Sequence, residues 1–135
     1  MDSSFWYVLV IRKRGAAELE RHEAAGTLLR RLIRDRTRLV TTDLVVAETH
    51  QLLLARGRRD TALAFLRGFP SPNTEVVASA PELEAEAVSE WIERHSDQDF
   101  SLTDAVSFAL MKQRGIRRAL TFDRHFAAAG FEMLP

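Results

Sequence analysis

The 135-residue sequence contains no cysteine. That single absence removes disulfide frameworks, thiolate zinc sites and cysteine nucleophiles together, and it suits a reducing compartment. Lysine is almost as scarce, since only Lys13 and Lys112 occur and nearly all the positive charge is arginine. With 19 basic and 19 acidic residues the formal charge is zero, which argues against a simple cationic clamp on nucleic acid. No long apolar run is present. The stretch Phe5 to Ile11 is too short to cross a membrane, and Arg12, Lys13 and Arg14 follow it where a signal peptide would need small residues. A soluble, cytoplasmic protein with no membrane partner is the expectation. Glycine-rich phosphate loops, repeats and low-complexity tracts are also missing, which sets aside nucleotide kinases and dinucleotide enzymes. A chain of this length is one domain's worth, able to bury a core without staples.

Short apolar strands alternate with amphipathic helices along the chain. Residues 16–36 carry apolar positions at helical spacing (Leu19, Ala24, Leu28, Leu29, Leu32, Ile33). The β-branched run 38–42 reads as a strand. Asp43 then offers an N-cap for a helix over 43–56 that Gly57 would stop. A further helix runs to about Phe69, the Gly-Phe-Pro-Ser-Pro-Asn stretch at 68–73 marks a turn, and 74–79 reads as a strand. Pro81 opens a helix over 81–95 with acids in its first turn. Residues 101–114 form another helix, 118–122 a strand, 124–129 a short helix and 131–134 a last strand. This alternation predicts an α/β protein whose short parallel sheet is covered on both faces. Sites in such sheets form at the carboxyl ends of the strands, which nominates Asp2, Asp43, the acids from Asp99 to Asp104, and Asp123.

Glu48 is the most informative of the acids, because it sits between Leu44 and Leu52 on the apolar side of its helix with no cation within a turn. A carboxylate buried there needs a metal ion or a distant arginine, or it must neutralise. The other acids have structural readings of their own. Ser101, Leu102, Thr103 and Asp104 form a capping-box pattern, Asp123 can cap the last short helix, Asp2 can be a loose terminal residue, and Asp97 and Asp99 read as loop acids. Together, carboxylates gathered at several strand ends and helix starts would repel one another unless a divalent ion neutralised them. Oxygen-only ligation selects Mg²⁺ or Mn²⁺. His22, His50, His95 and His125 lack ligand spacing and read as surface residues. The arginine clusters at 30–38 and 56–60 suit phosphate contacts but read equally as solvated helix faces.

Four segments, Met1-Asp-Ser-Ser-Phe-Trp-Tyr-Val-Leu, Thr41-Thr-Asp-Leu-Val-Val-Ala-Glu-Thr-His-Gln-Leu-Leu, Asp99-Phe-Ser-Leu-Thr-Asp-Ala-Val-Ser-Phe-Ala-Leu-Met-Lys-Gln-Arg-Gly-Ile and Ala119-Leu-Thr-Phe-Asp-Arg-His-Phe, resemble the PIN-domain family and within it VapC-type toxin ribonucleases. The likeness covers essentially the whole chain, in order. It implies a single PIN domain over 1–135, an α/β/α sandwich with a short parallel sheet, and Mg²⁺-dependent hydrolysis of RNA phosphodiester bonds. The family's four acids fall on Asp2, Glu48, Asp104 and Asp123, as catalytic residues and metal ligands. Its hydroxyl residues beside the metal fall on Ser3 or Ser4 and on Thr103. A cognate VapB-type antitoxin laid as an apolar helix in a groove, a homodimer and an RNA substrate are implied partners. Phe5, Trp6 and Leu9 of the first helix read equally as part of that groove or as core, and Arg124 lies nearest the acids among arginines that would hold RNA.

One departure from the family's pattern has physical consequences. Members carry an apolar strand before the first acid, and here only Met1 precedes Asp2. A truncated first strand, low stability and weak metal affinity are expected. The rival reading is a catalytically silent PIN-like domain that binds protein or RNA.

Overall fold

A computed structural model describes residues 1–11, 15–56, 58–69 and 71–135. The expected helix stop at Gly57 and Pro70 of the 68–73 turn lie outside the described residues. The elements are α1 (Ser3–Val10), α2 (Ala16–Arg34), β1 (Leu39–Thr42), α3 (Asp43–Ala55), α4 (Arg59–Arg67), β2 (Thr74–Val77), α5 (Pro81–Ala87), α6 (Leu102–Gln113), β3 (Arg118–Leu120), α7 (Arg124–Ala128) and β4 (Glu132–Leu134). Behind α5 the helix widens into a π-helical segment, Val88–Glu93, so the expected helix over 81–95 is real but not uniformly α.

Helical periodicity located α2 correctly and its buried stripe only in part. Ala25 is fully buried while Leu28, Leu29 and Leu32 pack beside it, a run spaced by three and four residues. Ala24 and Ile33 fall outside that stripe and are exposed, Ile33 at 47 %. Asp43 is likewise not the cap of α3. Thr42 is, accepting from the Val45 N–H, while Asp43 Oδ1 accepts from the N–H groups of Leu44 and Ser79 and so ties α3 to the loop after β2.

All strand pairing is parallel, as expected, but the sheet is divided. β1 pairs with β2 from Leu39 opposite Thr74 to Thr42 opposite Val77, and β3 pairs with β4 from Arg118 opposite Glu132 to Leu120 opposite Leu134. Among the described residues, Met1 and Asp2 run between the two ribbons. The Met1 amino group donates to Val40 O at 2.7 Å, Thr41 Oγ1 donates to Met1 O at 2.9 Å, and the Asp2 N–H donates to Leu120 O at 3.0 Å. Toward the amino ends of the strands the facing edges of β1 and β3 enclose a cavity of about 430 Å³, lined by Leu32, Leu39, Met111, Ile116, Leu120 and Leu134 among others.

Period-two alternation sends strand side chains into two different layers. Ala119, Val40 and Val77 pack with α5, the π segment and α6, where Trp91, Phe100, Phe108 and Phe126 form the aromatic core. Leu39 and Leu120 pack the other way, against Phe5 of α1 and the apolar stripe of α2. A third cluster joins α1, α3 and α4 through Ile11, Leu53, Ala62 and Phe65. Phe5 is fully buried, Trp6 meets Phe65 and Phe69 edge-on, and Leu9 packs toward α2, so these three side chains are core. On α3 and α4, Leu52, Leu54, Leu63 and Leu66 are exposed. Among the described residues no helix is long and apolar enough to cross a membrane.

Candidate metal centre

The acids gather at the carboxyl ends of the strands, where each is placed by a different local device. Asp2 is 4 % exposed and caps α1. Its Oδ2 accepts from the Ser4 N–H at 3.2 Å, from Ser4 Oγ at 2.5 Å and from Thr121 Oγ1 at 2.8 Å. Both hydroxyls are in turn acceptors: Ser4 Oγ from the Phe122 N–H and Thr121 Oγ1 from the Asp123 N–H, each at 2.9 Å. Asp2 is thereby locked to the loop that carries Asp123. Its other oxygen, Oδ1, has only Ser3 Oγ at 3.5 Å, a weak contact that leaves it available.

Asp104 is 7 % exposed and serves two ends at once. The capping box is complete, with Ser101 Oγ accepting from the Asp104 N–H and Asp104 Oδ2 accepting from the Ser101 N–H, both at 3.1 Å. The same Oδ2 accepts from His125 Nδ1 at 3.2 Å. Capping therefore uses one oxygen and leaves the other. Asp123 caps α7, its Oδ1 accepting from the His125 N–H at 2.9 Å. Ligand atoms of Asp104, Asp123 and His125 all lie within 4.8 Å of one another. Reading His125 as a surface histidine was wrong: its ring is drawn inward by the two carboxylates and set edge-on against Phe100 at 5.5 Å.

Glu48 comes from the middle of α3 and is half-buried, as its place among leucines predicts. Desolvation pushes its carboxyl above the ordinary 4.5; a Ser3 hydroxyl bond opposes the rise, while the charges of Asp2, Asp104 and Asp123 add to it. Glu48 thus senses all three other acids. Asp104 is also raised above 3.8, first by desolvation, with Asp123 adding to it, against the Ser101 and His125 bonds that lower it. Among the described residues no lysine or arginine contributes to either shift. An oxygen-rich group of carboxylates whose charge is uncompensated is a donor set that fits a divalent cation, with His125 the one nitrogen nearby.

The remaining candidates fall outside this group or beside it. Asp97 and Asp99 are exposed loop acids. Thr103 is half-buried on the first turn of α6, next to Asp104, where its carbonyl accepts from Ser107 Oγ. Arg124 is exposed beside Asp123, and Arg21 sits over the Phe122 ring at 5.9 Å. The arginines at 30–38 precede β1 and so lie at its amino end, away from the acids, with Arg31 and Arg34 against Asp35 and Arg38 against Glu75. Thr121 and His125 were missed by the sequence reading. The only signal was their spacing, two residues before and two after Asp123, which has no meaning until the chain turns there.

The PIN domain family matches residues 1–132. The chain belongs to the PIN-domain family. Two relatives from Mycobacterium tuberculosis, strains CDC 1551 / Oshkosh and ATCC 25618 / H37Rv, both named 23S rRNA-specific endonuclease VapC20, are 36 % identical over 131 residues, covering 97 % of this chain and 93 % of theirs. The crystal structure of Mycobacterium tuberculosis VapC20, described as a Sarcin-Ricin loop cleaving toxin, is similar with a TM-score of 0.81 at 34 % identity, covering 99 % of this chain and 97 % of that one. The fold is shared with that structure along nearly the whole chain.

Proposed function

We propose that this chain is a metal-dependent endoribonuclease of the VapC toxin type, acting as one PIN domain in the cytoplasm, with Asp2, Glu48, Asp104 and Asp123 as its metal ligands. The observation that carries this reading is the convergence at Glu48, whose carboxyl is raised in part by the charges of the three other acids. Mg²⁺, with Mn²⁺ as a substitute, suits the oxygen-rich donors, and when bound it would supply charge neutralisation, polarisation of the phosphodiester and activation of a water. The chain's own residues do the rest. Asp2, Asp104 and Asp123 each have a carboxylate oxygen fixed by hydrogen bonds, and these three residues with Glu48 would hold the ion. Glu48, half-buried and in reach of the other three acids' charges, would complete the set of oxygens that holds the ion. Thr103 would orient that water or a phosphate oxygen. Arg124 and Arg21, at the acid end, would hold the RNA backbone.

The relatives' names make 23S rRNA the first substrate to offer, as a stem-loop whose unpaired bases are open to recognition. A VapB-type antitoxin would find apolar helix surface at Leu52, Leu54, Leu63 and Leu66, and a homodimer is the expected assembly. The silent-binder alternative is not favoured, because all four acids are present and their carboxylates are held by dedicated donors. Incubating 23S rRNA with purified protein, with Mg²⁺ or with EDTA, and beside the Asp104→Asn variant, tests the proposal. Cleavage requiring both the metal and Asp104 is expected; metal-independent cleavage, or cleavage retained in the variant, would overturn it.

A further inference from the structure

His125 carries both a backbone and a side-chain donor, and the two are spent on different acids. Its N–H meets Asp123 Oδ1 at 2.9 Å, and its ring Nδ1 meets Asp104 Oδ2 at 3.2 Å while standing 3.6 Å from Asp123 Oδ1. We propose that His125 is a positioning residue that clamps Asp104 and Asp123 together so that the second oxygen of each is turned to one divalent ion. This rests on the metal-centre reading above.

Two carboxylates with ligand atoms within 4.8 Å of each other repel. A shared donor between them offsets that repulsion before any ion arrives. The partner of Nδ1 is a carboxylate oxygen of Asp104, an acceptor, so Nδ1 carries a hydrogen. The ring is fixed by Phe100, itself 6 % exposed and packed in the aromatic core, which makes the clamp rigid rather than a chance contact. Asp104 is held a second time by the Ser101 N–H. Both bonds fall on the same oxygen, and so they restrict the orientation of the carboxylate. A nitrogen that donates its hydrogen to Asp104 cannot at the same time coordinate a metal, which separates the clamp from direct ligation by Nδ1. Fixed outer partners of this kind typically govern metal affinity by about 10–100-fold.

The test is Mn²⁺ binding followed by electron paramagnetic resonance, using the full chain and the variants His125→Asn and His125→Gln. Asparagine places an amide donor where Nδ1 stands, whereas glutamine carries it one carbon farther, near the Nε2 position. The expected result is a Kd for His125→Gln raised by about 10–100-fold and a Kd for His125→Asn within a few-fold of the parent. The parent Mn²⁺ spectrum should show no nitrogen hyperfine coupling from a histidine. Equal affinities in the parent and both variants would overturn the clamp. Strong nitrogen coupling in the parent that disappears in both variants would overturn it in favour of direct ligation. Parent protein that binds no Mn²⁺ would instead remove the metal-centre reading, and the clamp with it.

Discussion

The seam between β1 and β3 has two ends built in opposite ways. At the carboxyl end, Asp2 ties the ribbons through Ser4 and Thr121, and each hydroxyl both donates and accepts. At the amino end, the strand edges face each other across an apolar cavity of about 430 Å³, and the Met1 amino group is buried against Val40 O. Satisfied polar networks in a low-dielectric setting are rigid, while an open apolar space forfeits dispersion contacts along its walls. The proposed site is thus held by the well-made end of a seam whose other end is poorly filled. The two ends also titrate in opposite senses, so chemistry and stability can be separated by experiment.

The largest effect is expected from Asp104→Asn at the acid end. Loss of an outer partner of a metal ligand already costs about 10–100-fold, so loss of a ligand's charge should lower RNA cleavage by at least ~100-fold. Urea unfolding of the metal-free variant should show no loss of stability, because Asn still accepts from Ser101 and the repulsion with Asp123 is gone. A large drop in both would show that the site and the seam are not separable. Thr121→Val removes one hydroxyl of the network and leaves Asp2 Oδ2 and the Asp123 N–H without that partner. A stability loss of about 1–3 kcal/mol by urea titration is expected, together with weaker Mn²⁺ binding. Unchanged stability would mean that water replaces the hydroxyl.

At the amino end, adding about five apolar β-branched residues before Met1 should let a strand pair with both facing edges and fill the cavity. The expected gain in melting temperature is at least ~4 °C, the equivalent of about 1 kcal/mol in a domain of this size. No gain would mean that the cavity does not accept a strand. The same extension tests the pH behaviour. Desolvation draws the Met1 amine from 8.0 down to about 6, with the Asp2 charge opposing the drop, so between those values the unfolded chain binds more protons. Metal-free stability should therefore rise with pH from about 6 to about 8, by on the order of 2–3 kcal/mol, and this slope should vanish in the extended protein. Glu48 and Asp104 act the other way. Their folded values lie above the ordinary 4.5 and 3.8, the native state binds more protons, and their contribution falls as pH rises through the acid window. Metal saturation should reverse that part. The smallest effect is assigned to Asp99→Asn, an exposed loop acid, whose cleavage rate should stay within about twofold of the parent.

Chemistry was more legible in the sequence than geometry. Glu48 declared itself because a carboxylate between Leu44 and Leu52 violates the helix's own apolar pattern, a purely local conflict. Asp104 and Asp123 did not, since each has a sufficient local explanation as a cap, and the structure shows that both do cap. The resemblance to PIN domains is what proposes a further role for them. Element types were also well determined, because period and capping depend on neighbours within a few residues. The edge of the α2 stripe was not, since whether Ala24 or Ala25 is buried depends on how the helix is rotated onto Phe5, Leu39 and Leu120.

By itself the sequence determined that this is an α/β chain of alternating elements, without thiol chemistry, and with acids at the ends of its strands. Tertiary structure alone decided that Ser4 and Thr121 would close a circuit across 117 residues, that His125 would turn inward to two acids, and that the sheet would stay divided at its amino end. The reason is physical. Helix and strand formation answer to local periodicity, whereas the orientation of a hydroxyl or imidazole, and the pairing of a strand edge, are set by whichever distant segment arrives opposite them.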